Sequence, residues 1–262
     1  MIGFIGGGNM AEAIIKGILA KHGRDIMVSE PVDKRRAYLE KTYNIKTTHN
    51  NKEVVKNCNI IILAVKPQNM DSVTAGISDE ISNDKLVVSI AAGITLAYLS
   101  SRLKTTKIIR VMPNTPALVQ EGMSVMSMCE CINDKEMQVI KDIFMSIGLL
   151  LALPEKYMNA VTALSGSGPA FFAYFVEAMI EGGVRMGLGK DDAATLAVQT
   201  FLGTARLLDT GMNPSKLREM VTSPGGTTAA GLKLFEEKGF KEIVIASIEA
   251  ATNRAKELGG ES

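Results

Sequence analysis

Tryptophan is absent from the 262-residue sequence, which also contains only two histidines and three cysteines. The cysteines, Cys58, Cys129 and Cys131, do not make a disulfide framework and favour a reducing compartment. The Cys129-x-Cys131 spacing is wrong for a zinc-binding pair, and we predict that both residues lie in a strand. The sequence therefore predicts neither a metal site nor a fold stabilised by disulfides.

An excess of one charge and a long apolar run are also missing. The 29 lysines and arginines nearly balance the 28 aspartates and glutamates, so neither nucleic acid nor an anionic membrane is expected as the main partner. No apolar run reaches the roughly 18 residues of a membrane span, and the longest, residues 170–180, contains Glu177. A strand predicted from Ile2 leaves no room for a preceding signal peptide, so we expect a cytoplasmic protein.

The most informative stretch is residues 1–16, MIGFIGGGNMAEAIIK, which has the order strand, glycine turn, helix. In such a unit Gly6 permits the tight turn, Gly8 lets the backbone approach a pyrophosphate, and Ala11 replaces the third glycine where helix and strand pack. The helix start offers N–H groups and a positive dipole end to phosphates. This context predicts a dinucleotide site, and a glycine-rich turn without a ligand is the alternative.

Apolar runs alternate with helical stretches as far as residue 153. The three longest runs are residues 59–65, 86–90 and 108–112, and shorter or weaker strands are predicted over 26–29, 45–48, 122–129 and 149–153. Continuous apolar runs are typical of parallel strands that crossover helices bury on both faces. We therefore predict an α/β protein whose domain 1–153 is a Rossmann-type dinucleotide-binding sheet with helices on both faces.

Three of the predicted strands end in small residues or prolines. They run into Lys66-Pro67, into Ala91-Ala92-Gly93 and into residues 112–116, MPNTP. Open α/β sheets bind ligands at the carboxyl ends of their strands. These segments predict a stiff wall against a flat ring, and ordinary turns are the alternative.

From Pro154 onward only helices are predicted, which defines an all-helical domain 154–262. The predicted helices are residues 159–183, 191–210, 214–221, 227–237 and 240–258. Apolar side chains surround the helix over 171–180, as in a helix buried on all sides. A domain of roughly 100 residues does not readily bury such a helix alone, so we expect a homodimer of intertwined helices, with packing inside one subunit as the alternative.

Acid–base residues are scarce in the sequence. His22 and His49 are predicted to lie away from the strand ends, and none of the five tyrosines has a lysine four residues later. Reduction of a ketone needs a proton shuttle, whereas a protonated imine is already electrophilic. The shortage therefore favours hydride transfer to a C=N bond, with the hydride supplied by the cofactor.

Two glycine-rich helix starts lie in the helical half, at residues 165–169, SGSGP, and residues 223–228, SPGGTT. Bare N–H groups at a helix start bind carboxylates well, so a small acid is a suitable ligand for either. Plain capping by serine and threonine is the alternative.

With these two motifs the chain resembles the pyrroline-5-carboxylate reductases over essentially its whole length. The residues that carry the resemblance are FIGGGNMA (4–11), AVKP (64–67), SIAAG (89–93), RVMPNTP (110–116), ALSGSGPA (163–170) and VTSPGGTTAAGL (221–232). The resemblance implies reduction of 1-pyrroline-5-carboxylate to L-proline by NADPH or NADH, the last step of proline biosynthesis. It also implies a homodimer that exchanges its helical domains, with dimers often assembled into decamers.

The resemblance also implies roles for individual residues. Cofactor-binding residues are implied along the glycine turn, the ribose side and the path to the nicotinamide: Gly6, Gly7, Gly8, Asn9, Met10, Ala11, Ser29, Asn51, Val65, Lys66, Pro67, Ala92 and Asn114. Substrate-binding residues are implied in the second half: Glu155, Ser165, Gly166, Ser167, Gly226, Thr227 and Thr228. Thr228 is the candidate catalytic residue, as the donor to the ring nitrogen.

Cofactor choice depends on the segment after the second predicted strand. Glu30 lies 24 positions after Gly6 (30 − 6), about where an acidic residue reaches the adenosine ribose hydroxyls. Its charge predicts a modest preference for NADH. Lys34, Arg35 and Arg36 follow closely and are within reach of a 2′-phosphate, but they are also ordinary residues of a surface helix.

Rival interpretations share some features of this build. A hydroxyacid dehydrogenase of the same two-domain type carries a Gly-x-x-x-Asn-x-x-Lys string, which this sequence lacks, and a deazaflavin-dependent NADP reductase lacks the long helical domain. A related imine reductase and a non-catalytic NAD(P)-sensing module are further alternatives. The SGSGP and SPGGTT strings speak against a sensor, because a sensor needs no acid-binding pocket.

Overall fold

The structure, a computed structural model, describes residues 1–23, 25–129 and 131–260. The chain forms two compact units. The first comprises Met1–Ser167 together with the C-terminal segment from Ala250 onward, and the second comprises Gly168–Glu249.

Within the described residues of the first unit, eight strands form one sheet. They are β1 (Ile2–Ile5), β2 (Ile26–Ser29), β3 (Lys46–Thr48), β4 (Ile60–Leu63), β5 (Leu86–Ser89), β6 (Ile108–Met112), β7 (Gly122–Met128) and β8 (Gly148–Ala152). Their order is β3-β2-β1-β4-β5-β6-β7-β8, and the first six are parallel. The predicted Rossmann-type sheet is thus confirmed. Strand β7 runs antiparallel to β6, because the short turn Thr115–Val119 between them is too brief for a crossover.

Helices follow the strands through the first unit and make up the second. The first unit contains α1 (Asn9–His22), α2 (Asp33–Tyr43), α3 (Asn51–Asn57), α4 (Met70–Ile77), α5 (Leu96–Arg102), α6 (Asp134–Met145) and α7 (Met158–Val161). The second contains α8 (Gly168–Arg185), α9 (Lys190–Asp209), α10 (Pro214–Met220) and α11 (Thr227–Glu237), and α12 (Phe240–Leu258) returns the chain to the first unit. Helix α6 shows the local rules: a capping box of Asn133 and Glu136 starts it, and Ile140, Ile143 and Phe144 form its buried face.

Two apolar clusters cover the two faces of the sheet. Alternate residues of β4 point to opposite faces, so Ile62 packs with α1 and α6 residues, while Ile61 and Leu63 pack with residues of α3 and α4. This alternation explains why the run over 59–65 is apolar without interruption, and it confirms the helices on both faces.

The connection into α8 differs from the single helix predicted over 159–183. A π-helical turn, Thr162–Gly166, separates α7 from α8, with Ser167 N–H donating to the Thr162 carbonyl. Helical periodicity continues through the turn, so the sequence pattern does not reveal it. By packing, the first unit runs on to Ser167, beyond the predicted boundary at Pro154. Two hydrogen bonds contribute to this packing, from Arg110 in β6 to Glu155 and from Asn114 after β6 to Ser165.

Both predictions about Cys129 and Cys131 are wrong. Strand β7 ends at Met128, so neither cysteine is a strand residue, and the two are joined by a disulfide across the turn before α6. Each sulfur lies 2.9 Å from the Thr106 carbonyl oxygen, which sets this turn against the chain just before β6. Cys58 is a buried free thiol, and burial raises its pKa.

Helix α12 ends against the sheet. A Cβ at Gly93, which follows β5 with φ +75°, would lie 3.1 Å from the backbone carbon of Leu258, so only glycine allows this approach. Ala255, one turn earlier, is buried. Among residues 1–23, 25–129 and 131–260, no helix is both long and apolar enough to cross a membrane.

Candidate active site

The predicted glycine turn connects β1 to α1. Gly6 has φ +98°, and a Cβ there would lie 2.7 Å from the Ala64 carbonyl oxygen, so the turn requires glycine. Gly8 faces open space, because no described atom lies within 4 Å of the position that its Cβ would take. Ala11 is buried where α1 packs on the sheet, as predicted for the third motif position.

The start of α1 has unused donors that suit a phosphate. Gly8 is the residue before the helix, and among the described residues no side chain caps it. Asn9 is exposed and Met10 is half-buried, so this first turn borders the open space at Gly8. Backbone N–H groups and the positive helix end therefore face a region that a pyrophosphate can occupy.

Glu30 lies directly on the glycine turn. The Gly7 N–H donates to one carboxylate oxygen of Glu30 at 2.9 Å, and the Val32 N–H donates to the other at 3.1 Å. The carboxylate thus follows β2 at the place where an acidic residue meets the ribose hydroxyls of a dinucleotide.

Ser29 and Asn51, both predicted near the ribose, are brought together by the sheet. The buried Ser29 hydroxyl donates to the Asn51 side-chain oxygen at 2.5 Å. Asn51 is the first residue of α3, which follows the neighbouring strand β3. The pair therefore forms the outer end of the carboxyl edge, beside Glu30.

The two arginines of α2 are already occupied by the chain itself. Arg35 donates through Nε to the Gly7 carbonyl at 2.6 Å and through Nη2 to Glu12 at 2.5 Å. Arg36 donates to the Glu30 carbonyl at 2.6 Å and forms an ion pair with Asp33. Their positions in the sequence make both arginines candidate ligands of a 2′-phosphate, but the sequence pattern does not predict these hydrogen-bond partners.

Glu12 is a residue of this site that the sequence interpretation missed. Besides Arg35, its carboxylate accepts hydrogen bonds from the hydroxyls of Tyr38 at 2.8 Å and Tyr43 at 2.7 Å. Burial alone would raise the pKa of Glu12, but these hydrogen bonds outweigh burial and lower the pKa. Burial and the Glu12 carboxylate raise the pKa of Tyr43. The sequence feature that points to such a cluster is the spacing of Arg35 and Tyr38, which lie three residues apart and therefore on one face of α2.

The strand ends beyond β1 place the remaining cofactor candidates on the same edge. Val65 follows β4 close to Gly6, since one of its methyl groups would be 3.1 Å from a Cβ there. Lys66 is exposed and Pro67 opens a short 3-10 turn, while Ala92 is half-buried after β5. The sheet order thus aligns these segments along one edge, as predicted.

Asn114, after β6, braces the π-helical turn. Its amide nitrogen lies 3.2 Å from the Ser165 carbonyl oxygen and 3.3 Å from the Ser165 hydroxyl, and its amide oxygen accepts from Met123 N–H at 2.8 Å. Gly166 lies beside the Met112 side chain, and Ser167 donates its hydroxyl to Thr162. The structure therefore brings the SGS segment to the end of β6, with Asn114 as the connecting side chain.

Glu155 is half-buried and joins two segments near the same edge. One carboxylate oxygen accepts from Leu96 N–H, at the start of α5, at 2.8 Å and from the Arg110 guanidinium at 3.1 Å. The Arg110 side chain is only 3% exposed. Glu155 thus ties the chain after β8 to the segments that follow β5 and to β6.

In the second unit, residues 223–228 form an uncapped start for α11. Gly225 has φ +71°, and the Gly226 N–H donates to the Ser223 carbonyl at 3.0 Å. Gly226 precedes the helix, and no side chain caps it within the portion of the chain that the structure describes. Capping by serine or threonine, the alternative considered for this motif, is therefore not what this turn does. Thr227 is exposed and Thr228 is half-buried on the first turn.

One placement made from the sequence is wrong. His49 does not lie away from the strand ends, because it directly follows Thr48, the last residue of β3. Strand β3 is an edge strand, however, and β2 and β1 separate it from β4 and β5. His49 is exposed there, on the side of the edge predicted to meet the ribose rather than beside the segments predicted to contact the nicotinamide.

Two protein-family models match this chain, one in its N-terminal part and one in its C-terminal part. Residues 155–258 match the family model for pyrroline-5-carboxylate reductase dimerisation. Residues 1–93 match the family model for coenzyme F420-dependent NADP oxidoreductases.

Individual relatives align over almost the full chain. A pyrroline-5-carboxylate reductase from Synechocystis sp. is 42% identical, with 98% of both chains aligned. The structure of a pyrroline-5-carboxylate reductase from Coxiella burnetii superposes with a TM-score of 0.90 at 35% identity and covers 98% of this chain and 97% of that one. The Plasmodium falciparum pyrroline carboxylate reductase with NADP bound gives a TM-score of 0.89 at 32% identity, with the same coverage.

Proposed function

The chain belongs to the pyrroline-5-carboxylate reductase family, and on that premise we propose that it reduces 1-pyrroline-5-carboxylate to L-proline with a reduced nicotinamide dinucleotide. The observation that carries the proposal is the uncapped glycine turn at Gly8, which opens on the same sheet edge as the braced SGS segment. The residues around that turn fit a dinucleotide, because they combine free N–H donors, open space and a carboxylate at the ribose position.

The proposed cofactor residues act by binding and orientation. N–H groups from Gly8 to Met10 bind the pyrophosphate, and Ser29, Glu30 and Asn51 surround the ribose. When bound, the dinucleotide supplies the hydride. The wall formed by Val65, Lys66, Pro67, Ala92 and Asn114 fixes the plane of its ring.

The proposed substrate residues bind a small acid. The turn at Gly226 and the uncapped N–H groups that follow it from Thr227 bind the carboxylate, since a helix start favours negative charge. A protonated imine takes the hydride at carbon and becomes a secondary amine, so no side chain has to supply a proton in this step. The hydroxyl of Thr228 donates a hydrogen bond to the lone pair that the ring nitrogen gains as the hydride adds. The scarcity of histidine is consistent with such a reaction.

For cofactor choice we propose a modest preference for NADH. Glu30 places a carboxylate at the ribose position, and both nearby arginines already have acceptors in the chain. Repulsion between this carboxylate and a 2′-phosphate at a partly exposed site is worth on the order of 1 kcal/mol, so the preference is about tenfold at most. The test is kcat/KM for both cofactors in the wild type and in Glu30→Ser. A wild type that prefers NADPH, or a ratio that Glu30→Ser leaves unchanged, contradicts the assignment.

For assembly we propose a homodimer, with decamers built from dimers, through the helical domain 154–262. Helix α8 supports this, because Phe172 and Tyr174 are 56% and 75% exposed in the single chain. A folded chain rarely leaves such an apolar face in water, and a second copy of the same helices is able to cover it. Residues 1–153 then serve as the dinucleotide-binding domain of each subunit.

The decisive experiment is a turnover assay with 1-pyrroline-5-carboxylate and either NADH or NADPH, with proline identified as the product. Small 2-hydroxy acids and their keto forms serve as the comparison substrates. Turnover of those compounds in preference to the pyrroline identifies a hydroxyacid enzyme. Cofactor binding without turnover of any of them identifies the non-catalytic sensor.

A further inference from the structure

We propose that Glu12 is a positioning residue that determines cofactor specificity, because it holds Arg35 out of reach of a 2′-phosphate. The proposal rests on the proposed function only in requiring that the chain binds a nicotinamide dinucleotide. The Glu12 backbone N–H donates to the Gly8 carbonyl at 3.0 Å, but its carboxylate bonds to Arg35, Tyr38 and Tyr43 and, in our assignment, does not contact the cofactor.

The geometry places Arg35 close to the ribose position. Its Nε contacts the carbonyl of Gly7, and the N–H of the same residue contacts the Glu30 carboxylate. One guanidinium and one carboxylate thus bind the two polar groups of a single residue in the glycine turn. An arginine at this distance from the end of β2 is the type of residue that binds a 2′-phosphate in NADP-dependent proteins of this fold.

Glu12 engages that arginine in an ion pair, so its Nη2 is not available to a phosphate. The guanidinium donates to Glu12 at 2.5 Å and lies over the Tyr38 ring, 5.1 Å from its centre. The hydroxyls of Tyr38 and Tyr43 hold the same carboxylate in place. The Glu12 and Arg35 side chains are 18% and 25% exposed, so water screens the pair less than it screens a surface pair.

Arg36, the neighbouring arginine of α2, does not depend on Glu12. It donates to the Glu30 carbonyl and to Asp33. Removal of the Glu12 charge therefore releases the Nη2 end of the Arg35 guanidinium, while its Nε stays on the Gly7 carbonyl of the glycine turn. The expected result is a gain in affinity for NADPH alone.

The test is the substitution Glu12→Gln, which keeps the side-chain shape and removes the charge. Dissociation constants for NADH and NADPH are measured by cofactor fluorescence without substrate, and kcat/KM is measured separately. We expect the NADPH-to-NADH affinity ratio to rise about fivefold, the scale of a partly exposed ion pair. If Glu12 has only a structural role, the substitution lowers the affinity for both cofactors equally and leaves the affinity ratio unchanged. That result overturns the proposal.

The matched controls are Tyr43→Phe and Tyr38→Phe, which remove hydroxyl donors to the same carboxylate but leave Arg35 paired. We expect the cofactor ratio to stay within about twofold of the wild type in both, because the ion pair that holds Arg35 is intact. If either control raises the ratio as much as Glu12→Gln does, loosening of α2 rather than release of Arg35 is the cause.

Arg35→Gln keeps the proposal falsifiable if Glu12→Gln does not fold. Since Arg35 is held by Glu12 in the wild type, its removal should leave the affinity ratio unchanged, and it should abolish the effect of Glu12→Gln in the double variant. A selective loss of NADPH affinity in Arg35→Gln would mean that Arg35 binds the phosphate already. Because these measurements need no substrate, they are independent of whether the chain reduces the pyrroline.

Discussion

Replacing Glu155 by alanine should destabilise the first unit by about 3 kcal/mol, because it leaves the buried Arg110 charge without its partner. At 3.1 Å and an effective dielectric constant of about 20, the pair attracts by about 5 kcal/mol. The Glu155 side chain is 29% exposed, so water screens part of that attraction. The Leu96 N–H loses its charged acceptor in the same variant, which adds to the loss.

The assay is urea unfolding at one fixed protein concentration. Thr95→Ala is the matched control, because the Thr95 hydroxyl caps the same helix α5 by accepting from Tyr98 N–H at 3.0 Å and has no link to Arg110. That variant should lose about 1 kcal/mol, as ordinary caps do. The double variant Arg110→Met/Glu155→Leu should recover most of the loss, since it leaves no unpaired charge.

The reasoning is refuted if Glu155→Ala is no less stable than Thr95→Ala. Glu155→Gln adds a test of the substrate role that the sequence predicts, because it retains an acceptor for Leu96 N–H. A raised KM for the pyrroline with unchanged stability supports a substrate contact. A lowered stability with unchanged KM supports a structural role for the ion pair with Arg110.

Three further predictions concern other sites. Thr228→Ala should lose roughly 1–3 kcal/mol of transition-state stabilisation, measured as kcat/KM for the pyrroline, whereas Thr228→Ser should lose little; turnover of the alanine variant within about twofold of the wild type removes Thr228 from the mechanism. Phe172→Glu should convert a dimer to monomers in sedimentation at micromolar concentration, and a wild type that is already a stable, active monomer contradicts the dimer. Hydrogen bonds from two tyrosines and Arg35 hold the pKa of Glu12 below its usual value, so its contribution to stability is present above that usual value and is lost as the pH falls through the lower folded-state value. Glu12→Gln should therefore flatten the acid side of the urea-midpoint profile, and parallel profiles for the two proteins would exclude this contribution.

Much of the fold is predictable from local sequence, and the reasons are specific. The ranges predicted for β2, β6, α11 and α12 coincide with the observed ones. Strand β6 is an apolar run that Pro113 follows at once, and α12 is followed by Gly259 and Gly260, so in both the pattern stops before a residue with a strong conformational preference. The order β3-β2-β1-β4-β5-β6 is the usual order of a Rossmann-type sheet, which the glycine motif after β1 predicts.

The features that the sequence did not predict depend on contacts between distant segments or on a change of helical hydrogen bonding. The Arg110–Glu155 pair joins residues 45 positions apart, and Glu12 meets Tyr43 across 31 positions. The π-helical turn Thr162–Gly166 has the same apolar periodicity as the helices around it. The roles of individual residues in binding, the dimer and the cytoplasmic location stay predictions.

The contact between the end of α12 and Gly93 has a consequence for the order in which the protein is made. The segment after β5 carries Ala92 and Gly93, yet Leu258 and Gly259, which cover it, leave the ribosome more than 160 residues later (258 − 93). Until then the nascent sheet exposes this portion of its carboxyl edge. Completion of this part of the edge is therefore a late event in biosynthesis, although β5 itself is translated early. A chain truncated after residue 249 would hold the glycine turn but leave this edge uncovered.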